Sequence, residues 1–259
     1  MWVVNQLKRL SYGRPDLDLL ARKGYMLVDM HVHTNVSDGT CSPNAVVQRA
    51  KELGIGVAIS DHDKILGSVK SYDNEYNVPV IPSIEVEANT GEHFLYYFGT
   101  PEELKVFYKD EIKGRECRRS VFELLDLKKR YNCLVSWAHP AGAPPNTWFS
   151  WRKKKITFNL KKIDCLELLN GLAGVQHLEK VASWIMKHRK AFTGGSDAHE
   201  KAQIGRVVTY AKAKNIQEFL EKVRKKQARV IGERINFLRF AAKYPFKLVF
   251  AKFNYFMKF

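Results

Sequence analysis

Histidine and carboxylate side chains gather at the ends of short apolar segments along the first two hundred residues. Six of the eight histidines lie at or next to such an end, and most have an aspartate or glutamate close by. His31 and His33 are two residues apart, so on a β-strand both imidazoles point to the same side. Asp197 and His199 repeat this spacing. Chance would spread histidines into helices and loops as well, so the joint pattern predicts one shared site.

Neutral imidazole and carboxylate groups are the ligands that zinc, manganese and iron ions prefer. Taken singly, the motifs are weak. A histidine at a strand end, such as His93 or His139, is more often structural, and Asp-Gly after Ser37 is an ordinary turn signal. Together they predict a site for divalent metals. His177 and His188 fall within predicted helices, where we expect structural roles.

The apolar segments alternate with segments of helical spacing. We predict strands at residues 26–33, 56–60, 78–84, 93–98, 134–139, 163–169 and 191–194. A first helix is indicated by Ser42 as a cap, Pro43 at the first helical position and Gly54 at the end. Further helices are predicted at residues 113–131, 176–188 and 216–226. This alternation indicates an α/β domain with parallel strands and crossover helices, whose closure into a barrel would bring the strand ends to one face.

These residues resemble the PHP family, the polymerase and histidinol phosphatase superfamily. The likeness runs from about residue 26 to residue 210. Its motifs are His31-Val32-His33-Thr34 with Ser37-Asp38-Gly39, Ser60-Asp61-His62-Asp63, Glu85, His93, His139-Pro140 and Gly195-Ser196-Asp197-Ala198-His199. The resemblance implies a distorted (β/α)7 TIM-like barrel with a metal site at the C-terminal face of its strands.

The resemblance also implies nine metal ligands in three groups that share one glutamate. The first metal is expected on His31, His33, Glu85 and Asp197, the second on Glu85, His93 and His139, and the third on Asp38, His62 and His199. Every ligand position is filled, so the resemblance implies a competent enzyme. Its expected cofactors are two or three divalent ions, which are manganese, zinc or iron.

The expected reaction is hydrolysis of a phosphoester by a metal-activated hydroxide. Asp61 and Asp63 flank the expected ligand His62, and each is a candidate to relay a proton or to support the ligands. Glu167 and Asn170 end the sixth predicted strand, so we expect them to line the pocket.

Positive side chains near the metals would bind the remaining phosphate oxygens. The predicted helix at residues 113–131 supplies the candidates Arg115, Arg118 and Arg119, and Arg206 follows the last motif. The alternative for each is a place on a solvated surface.

The net charge of +16 is concentrated in two regions of the chain. Residues 101–162 carry +8 and residues 211–259 carry +10, whereas residues 1–100 carry −3. A basic surface concentrates phosphorylated molecules and nucleic acids, although charge alone names no partner.

Three functions therefore stay open. The first is a phosphoesterase acting on a phosphorylated small molecule or a nucleotide. The second is a nuclease that trims the 5′ ends of RNA or DNA with the same metals. The third is a non-catalytic binding module, against which the complete ligand set argues. No RRM, KH or helix-turn-helix signature is present, so the nuclease is the second choice.

We divide the chain into an N-terminal extension (residues 1–25), a barrel domain (residues 26–229) and a basic, aromatic-rich tail (residues 230–259). The tail has an amphipathic pattern after Pro245. Its apolar residues recur at helical steps of three and four, and they are Phe246, Val249, Phe250, Phe253 and Met257. We favour docking or self-association through this face over contact with an anionic membrane surface, which is the alternative.

The four cysteines are scattered without a C-x-x-C pair, which favours reduced thiols. The sequence has neither an apolar run long enough to cross a bilayer nor the residue order of a secretory signal. We therefore expect a cytoplasmic protein.

Overall fold

A ten-stranded sheet forms the centre of the computed structural model, which describes residues 9–141, 159–173 and 175–233. The strands are β1 (Leu10–Tyr12), β2 (Met26–Val32), β3 (Gly56–Ile59), β4 (Val80–Glu87), β5 (His93–Phe98), β6 (Cys133–Trp137), β7 (Cys165–Asn170), β8 (Ala191–Gly195), β9 (Val207–Ala211) and β10 (Arg229–Gly232). Their order in the sheet is β1-β10-β9-β2-β3-β4-β5-β6-β7-β8. All seven predicted strands are present as β2 to β8, and the α/β class is confirmed.

The strands are not all parallel, which corrects the prediction from the sequence. β2, β3 and β4 are parallel, as are β6, β7 and β8, but β5 runs antiparallel to both of its neighbours. A tight turn joins β4 to β5, in which the Ala88 amide donates to the Glu92 carbonyl at 2.8 Å. Gly91 takes the positive φ of 80° that this turn requires. The hairpin replaces a crossover helix, so the chain has a curled mixed sheet where the resemblance implies a (β/α)7 barrel.

The sheet curls until the end of β8 lies against β2. The Asp197 amide donates to the His31 carbonyl at 2.8 Å, and Val32 and Ala198 form an isolated parallel bridge. Gly195 makes this approach feasible, because a Cβ there would lie 2.6 Å from the His31 amide nitrogen. The closure places the ends of the first and last predicted strands side by side.

Seven α-helices are described; three of them match predicted helices, a fourth matches half of one, and the other three were not predicted. The seven are α1 (Leu17–Arg22), α2 (Pro43–Leu53), α3 (Leu66–Tyr72), α4 (Pro101–Phe107), α5 (Val121–Leu127), α6 (Val175–His188) and α7 (Ile216–Arg224). In α2 the Ser42 side chain accepts from the Ala45 amide, and Gly54 ends the helix with a φ of 63°. The caps of α2 are therefore those predicted.

The helix predicted at residues 113–131 is wrong in its first half. Gly114 and Cys117 have φ values of 76° and 54°, which interrupt any helix there. α5 begins only after Ser120, whose side chain forms a capping box with Glu123. Residues 113–120 therefore form a loop in front of a short helix.

The sheet extends beyond the predicted barrel segment at both ends. β1 pairs in parallel with β10 through Leu10 and Val230, so part of the predicted extension joins the start of the predicted tail. The amphipathic residues after Pro245 lie outside the described residues. The division of the chain into three segments stays a prediction.

None of the four cysteines, all of which lie in the described residues, forms a disulfide. Among the described helices, none has both the length and the apolar character to cross a membrane.

We predict that Gly195→Ala lowers the free energy of unfolding by about 2 kcal/mol or more, because the new methyl group meets the backbone of β2. Urea denaturation measures this change. Gly99→Ala is the matched control, since its Cβ would meet only the movable side chains of Glu103 and Gln217 at 3.3 Å and beyond. Equal stability of the two variants would show that the approach of β8 to β2 is not tight.

Candidate metal centre

Glu85, at the end of β4, is the common neighbour of five histidines. Its side chain is fully buried. The nitrogen–oxygen distances are 3.2 Å from His31 Nε2, 3.3 Å from His33 Nε2, 3.2 Å from His62 Nδ1, 3.0 Å from His93 Nδ1 and 3.1 Å from His139 Nε2. The first three face Glu85 Oε2 and the last two face Oε1. One carboxylate therefore lies between two sets of imidazoles.

Two aspartates and the sixth strand-end histidine complete the arrangement. Asp197 Oδ1 lies 3.2 Å from His33 Nε2. Asp38 Oδ2 lies 3.1 Å from His199 Nε2 and 3.6 Å from His62 Nε2. All nine predicted ligands thus meet, and we call them the nine-ligand cluster: His31, His33, Asp38, His62, Glu85, His93, His139, Asp197 and His199.

The donor set of this cluster fits divalent cations. Its ligand atoms fall into overlapping groups of three within 4.8 Å of one another. His31 Nε2 and His33 Nε2 face each other at 3.0 Å, an arrangement suited to two ligands of one ion. Within the described residues, no lysine or arginine forms an ion pair with Glu85, Asp38 or Asp197. Buried carboxylates without such partners need another source of positive charge.

The pKa values of the clustered groups show the same requirement for positive charge next to the buried carboxylates. Burial opposes ionisation of Glu85, Asp38 and Asp197, yet the surrounding histidines keep the pKa of each carboxyl well below its usual range. Burial also disfavours charge on His93 and His199, but Glu85 and Asp38 respectively raise the pKa of these imidazoles to about 10. Protons on His93 and His199 thus help to balance the carboxylates, and bound metal ions would displace them.

Several residues of this region have left-handed backbones. Asp197, His139 and Asp63 have φ values of 54°, 27° and 46°. Such conformations cost about 1–3 kcal/mol each in non-glycine residues and concentrate at functional sites. Asp197 and His139 belong to the nine-ligand cluster, and Asp63 directly follows its member His62.

Glu167 and Asn170, predicted to line the pocket, contact the ligands directly. Glu167 Oε1 lies 3.0 Å from His31 Nδ1, and its Oε2 accepts from the His139 amide at 2.7 Å. Asn170 Nδ2 donates to Glu167 Oε2 at 2.9 Å and to Asp197 Oδ2 at 3.2 Å. Contacts of this kind fix the orientation of a ligating imidazole. Through these contacts, Glu167 and Asn170 hold His31, His139 and Asp197 in position.

Asp61 supports the loop that bears Asp38. It accepts from the Thr34 amide at 2.7 Å, the Thr34 hydroxyl at 2.8 Å and the Ser37 hydroxyl at 2.8 Å. Burial raises the pKa of Asp61. These bonds give Asp61 a positioning role, one of the two roles expected from the sequence.

Asp29 has a comparable role that the sequence analysis missed. It is fully buried and accepts from the Ser196 amide at 2.8 Å, the Ser196 hydroxyl at 2.6 Å and the Gly205 amide at 2.8 Å. It thereby fixes the backbone just before Asp197. The available signal was its position two residues before His31, on the same side of β2.

Asp63, the other predicted acid–base candidate, contacts a cysteine. Its Oδ2 lies 3.3 Å from Cys117 Sγ, which is also 3.5 Å from Glu87 Oε2. Burial raises the pKa of Asp63 to about 7. Sequence analysis gave Cys117 and Glu87 no role, because they are far apart in the chain and lie outside the family motifs.

Two of the four predicted phosphate-binding arginines are engaged away from the cluster. Arg119 donates from Nε to the Glu111 carbonyl at 2.9 Å and pairs with the Glu111 carboxylate. Arg206 donates to the Ala202 carbonyl at 3.2 Å and lies 3.7 Å from Glu233. A role of Arg119 or Arg206 in binding phosphate stays a prediction, and in this structure both side chains pair with protein groups outside the cluster.

The other two arginines, Arg115 and Arg118, are exposed in the loop of residues 113–120 rather than on a helix. Arg115 donates to the Asp110 carbonyl at 3.3 Å. Cys117 joins this loop to Asp63 and Glu87, so both arginines lie on a segment that borders the site.

The fold is similar to that of known proteins. A family model described as PHP-associated matches residues 175–228. A two-domain protein from Bacteroides vulgatus that contains a predicted PHP-like metal-dependent phosphoesterase has a TM-score of 0.62 at 18% identity, covering 85% of this chain and 67% of that one. The described part of the present chain shares the fold of that PHP-like protein. The lesion-specific endonuclease Q from Pyrococcus furiosus is also similar, with a TM-score of 0.61 at 20% identity over 80% of this chain and 57% of that one.

Sequence relatives extend the comparison. An uncharacterized protein of Methanocaldococcus jannaschii is 24% identical over 231 residues, which is 83% of this chain and 86% of the relative. The 5′-3′ exoribonuclease Rnm of Escherichia coli is 30% identical over 79 residues, or 29% of this chain. That match spans only 27% of the exoribonuclease.

We predict that Glu167→Gln weakens metal binding by about tenfold or more, because the amide no longer supports His31 with a negative charge. Dialysis against buffered Mn²⁺ or Zn²⁺ followed by elemental analysis measures the affinity. His188→Ala is the control, since His188 is exposed on α6. Unchanged affinity in Glu167→Gln would contradict the supporting role.

Proposed function

We propose that the chain is a metal-dependent phosphoester hydrolase that uses two or three divalent ions. The observation that carries the proposal is the convergence of nine nitrogen and oxygen ligands on the buried Glu85. His31, His33, Glu85 and Asp197 would hold a first ion. The remaining ligands would hold the others, and they are His93 and His139 with Glu85, then Asp38, His62 and His199. Manganese, zinc and iron all accept such ligands.

When bound, ions of this kind lower the pKa of a water molecule and offset the charge of a phosphoryl group. The residues of the chain keep the ligands in place for this chemistry. Glu167 and Asn170 orient His31 and Asp197, and Asp61 fixes the loop of Asp38. Each of these contacts is buried or partly buried, so the ligand positions are set before substrate binds.

The substrate is an anion, and its recognition follows from charge. Arg115 and Arg118 are exposed on the loop that contacts Asp63 and Glu87, within a region of net charge +8. We assign them to the non-reacting phosphate oxygens of a phosphorylated small molecule or nucleotide. A binding module without turnover is disfavoured, because none of the nine ligand positions is replaced.

A nuclease acting at the 5′ ends of RNA or DNA is the second candidate. Two observations favour it specifically. The first is the 30% identity to a 5′-3′ exoribonuclease over 79 residues, and the second is the net charge of +16, which suits a polyanion. A nuclease would use the same metal ligands and the same residues that position them as a phosphoesterase. The two functions would differ only in the length of the substrate.

We predict that the protein retains two or three divalent ions per chain after reconstitution with Mn²⁺, Zn²⁺ or Fe²⁺. Glu85→Gln should lose more than one of them, because Glu85 faces both sets of histidines. Elemental analysis after gel filtration gives the count. Less than one ion per wild-type chain would contradict a multinuclear centre.

We also predict that the metal-loaded protein hydrolyses phosphoesters in a screen of phosphomonoesters, nucleotides and 5′-phosphorylated oligonucleotides. Asp197→Asn should lower the rate by more than about a hundredfold. This loss is larger than the one expected for a residue that only contacts a metal ligand. Phosphate release and gel analysis of oligonucleotides separate the two candidates. Equal rates for Asp197→Asn and the control His188→Ala would show that the hydrolysis does not come from this cluster.

A further inference from the structure

A second group of metal-type ligands lies beside the nine-ligand cluster. It consists of Asp63, Glu87 and Cys117, which we call the thiol–carboxylate site. Asp63 directly follows the ligand His62, and Glu87 Oε1 lies 3.9 Å from Nε2 of the ligand His93. The site therefore borders the cluster without sharing a residue with it.

The distances from the thiol match those of a metal site. Cys117 Sγ is 3.3 Å from Asp63 Oδ2 and 3.5 Å from Glu87 Oε2. With zinc–sulfur and zinc–oxygen bonds of about 2.3 and 2.1 Å, a tetrahedral ion separates sulfur from oxygen by about 3.6 Å. One ion can thus contact the sulfur and either oxygen with almost no movement. Unlike the groups around Glu85, these three donors do not all lie within 4.8 Å of one another. Glu87, with 27% of its side chain exposed, has to move towards Asp63 before one ion contacts all three.

Asp63 provides an independent indication of a missing partner. The residue is only 2% exposed, and its Oδ1 makes no hydrogen bond among the described residues. No lysine or arginine of the described chain forms an ion pair with it. A buried carboxylate oxygen without a partner is costly, and a coordinated cation would remove that cost.

The backbone keeps the three donors together. The Asp63 amide donates to the Glu85 carbonyl at 2.8 Å, which ties the end of β3 to β4. The Asn89 amide donates to the Arg119 carbonyl at 2.9 Å, which ties the loop of Cys117 to the turn after β4. Three separate parts of the chain are thus joined where their donors meet.

We propose that Asp63, Glu87 and Cys117 bind an additional divalent transition-metal ion, distinct from the ions of the nine-ligand cluster. A thiolate with two carboxylates suits Zn²⁺ or Co²⁺, and water occupies the fourth position. Binding removes the proton from Cys117 Sγ, so the ion replaces the thiol hydrogen bonds to Asp63 and Glu87. Because the thiol proton leaves as the ion binds, the net charge of the site changes from −2 to −1 beside His93.

Cobalt substitution tests this site by absorption spectroscopy. Thiolate ligands give Co²⁺ an intense near-ultraviolet charge-transfer band, whereas imidazole and carboxylate ligands do not. Because the nine-ligand cluster contains no cysteine, the band reports the thiol–carboxylate site alone. We expect the fully Co²⁺-loaded wild type to show the band. Cys117→Ser should lose both the band and one bound ion, whereas the control Cys41→Ser should keep both.

A second variant keeps the test informative if Cys117→Ser fails to fold. Asp63→Asn should keep the band but require at least tenfold more Co²⁺ to reach half of its intensity, with a wild-type circular dichroism spectrum. Absence of the band in the loaded wild type, or its persistence in Cys117→Ser, would overturn the proposal. Neither result depends on hydrolysis, so the test is separate from the proposed function.

Discussion

The contact of one buried glutamate with five histidines determines the arrangement of the rest of the site. Glu85 lies within 3.3 Å of each imidazole, and these histidines come from the ends of β2, β3, β5 and β6. The strand ends can converge this closely only in a curled sheet. The approach of β8 to β2 over Gly195 then adds Asp197 and His199. The arrangement of the ligands therefore depends on the curvature of the sheet.

A cluster of this kind couples folding to cation binding. Buried carboxylates and imidazoles are costly unless their charges are balanced, and protons and metal ions compete for the same atoms. The supports Glu167, Asp61 and Asp29 limit the motion of the ligands by hydrogen bonds to them or to their loops. These hydrogen bonds keep the ligands in place while protons and metal ions exchange on them. Binding of ions should accordingly stabilise the fold as well as prepare the chemistry.

The sequence predicted which side chains converge, because their positions obey local rules. Two-residue spacing and strand-end position identified His31, His33 and Asp197, and Ser42 and Gly54 marked the ends of α2. Other features depend on contacts between distant residues. The antiparallel course of β5 follows from the hairpin at Gly91, and the loop at residues 113–120 follows from the left-handed backbone of Cys117. No periodicity in the chain marks either one, so the sequence wrongly placed Arg115 and Arg118 on a helix instead of in this loop.

The central claim is that divalent ions occupy the nine-ligand cluster and share Glu85. The most direct measurement is a crystal structure of the protein reconstituted with Mn²⁺ or Zn²⁺, with anomalous diffraction recorded on both sides of the metal absorption edge. Two or three anomalous peaks are expected among the nine ligands, of which at least two contact the Glu85 carboxylate. A loaded crystal with no anomalous peak at Glu85, or with ions bound only elsewhere, would contradict the central claim.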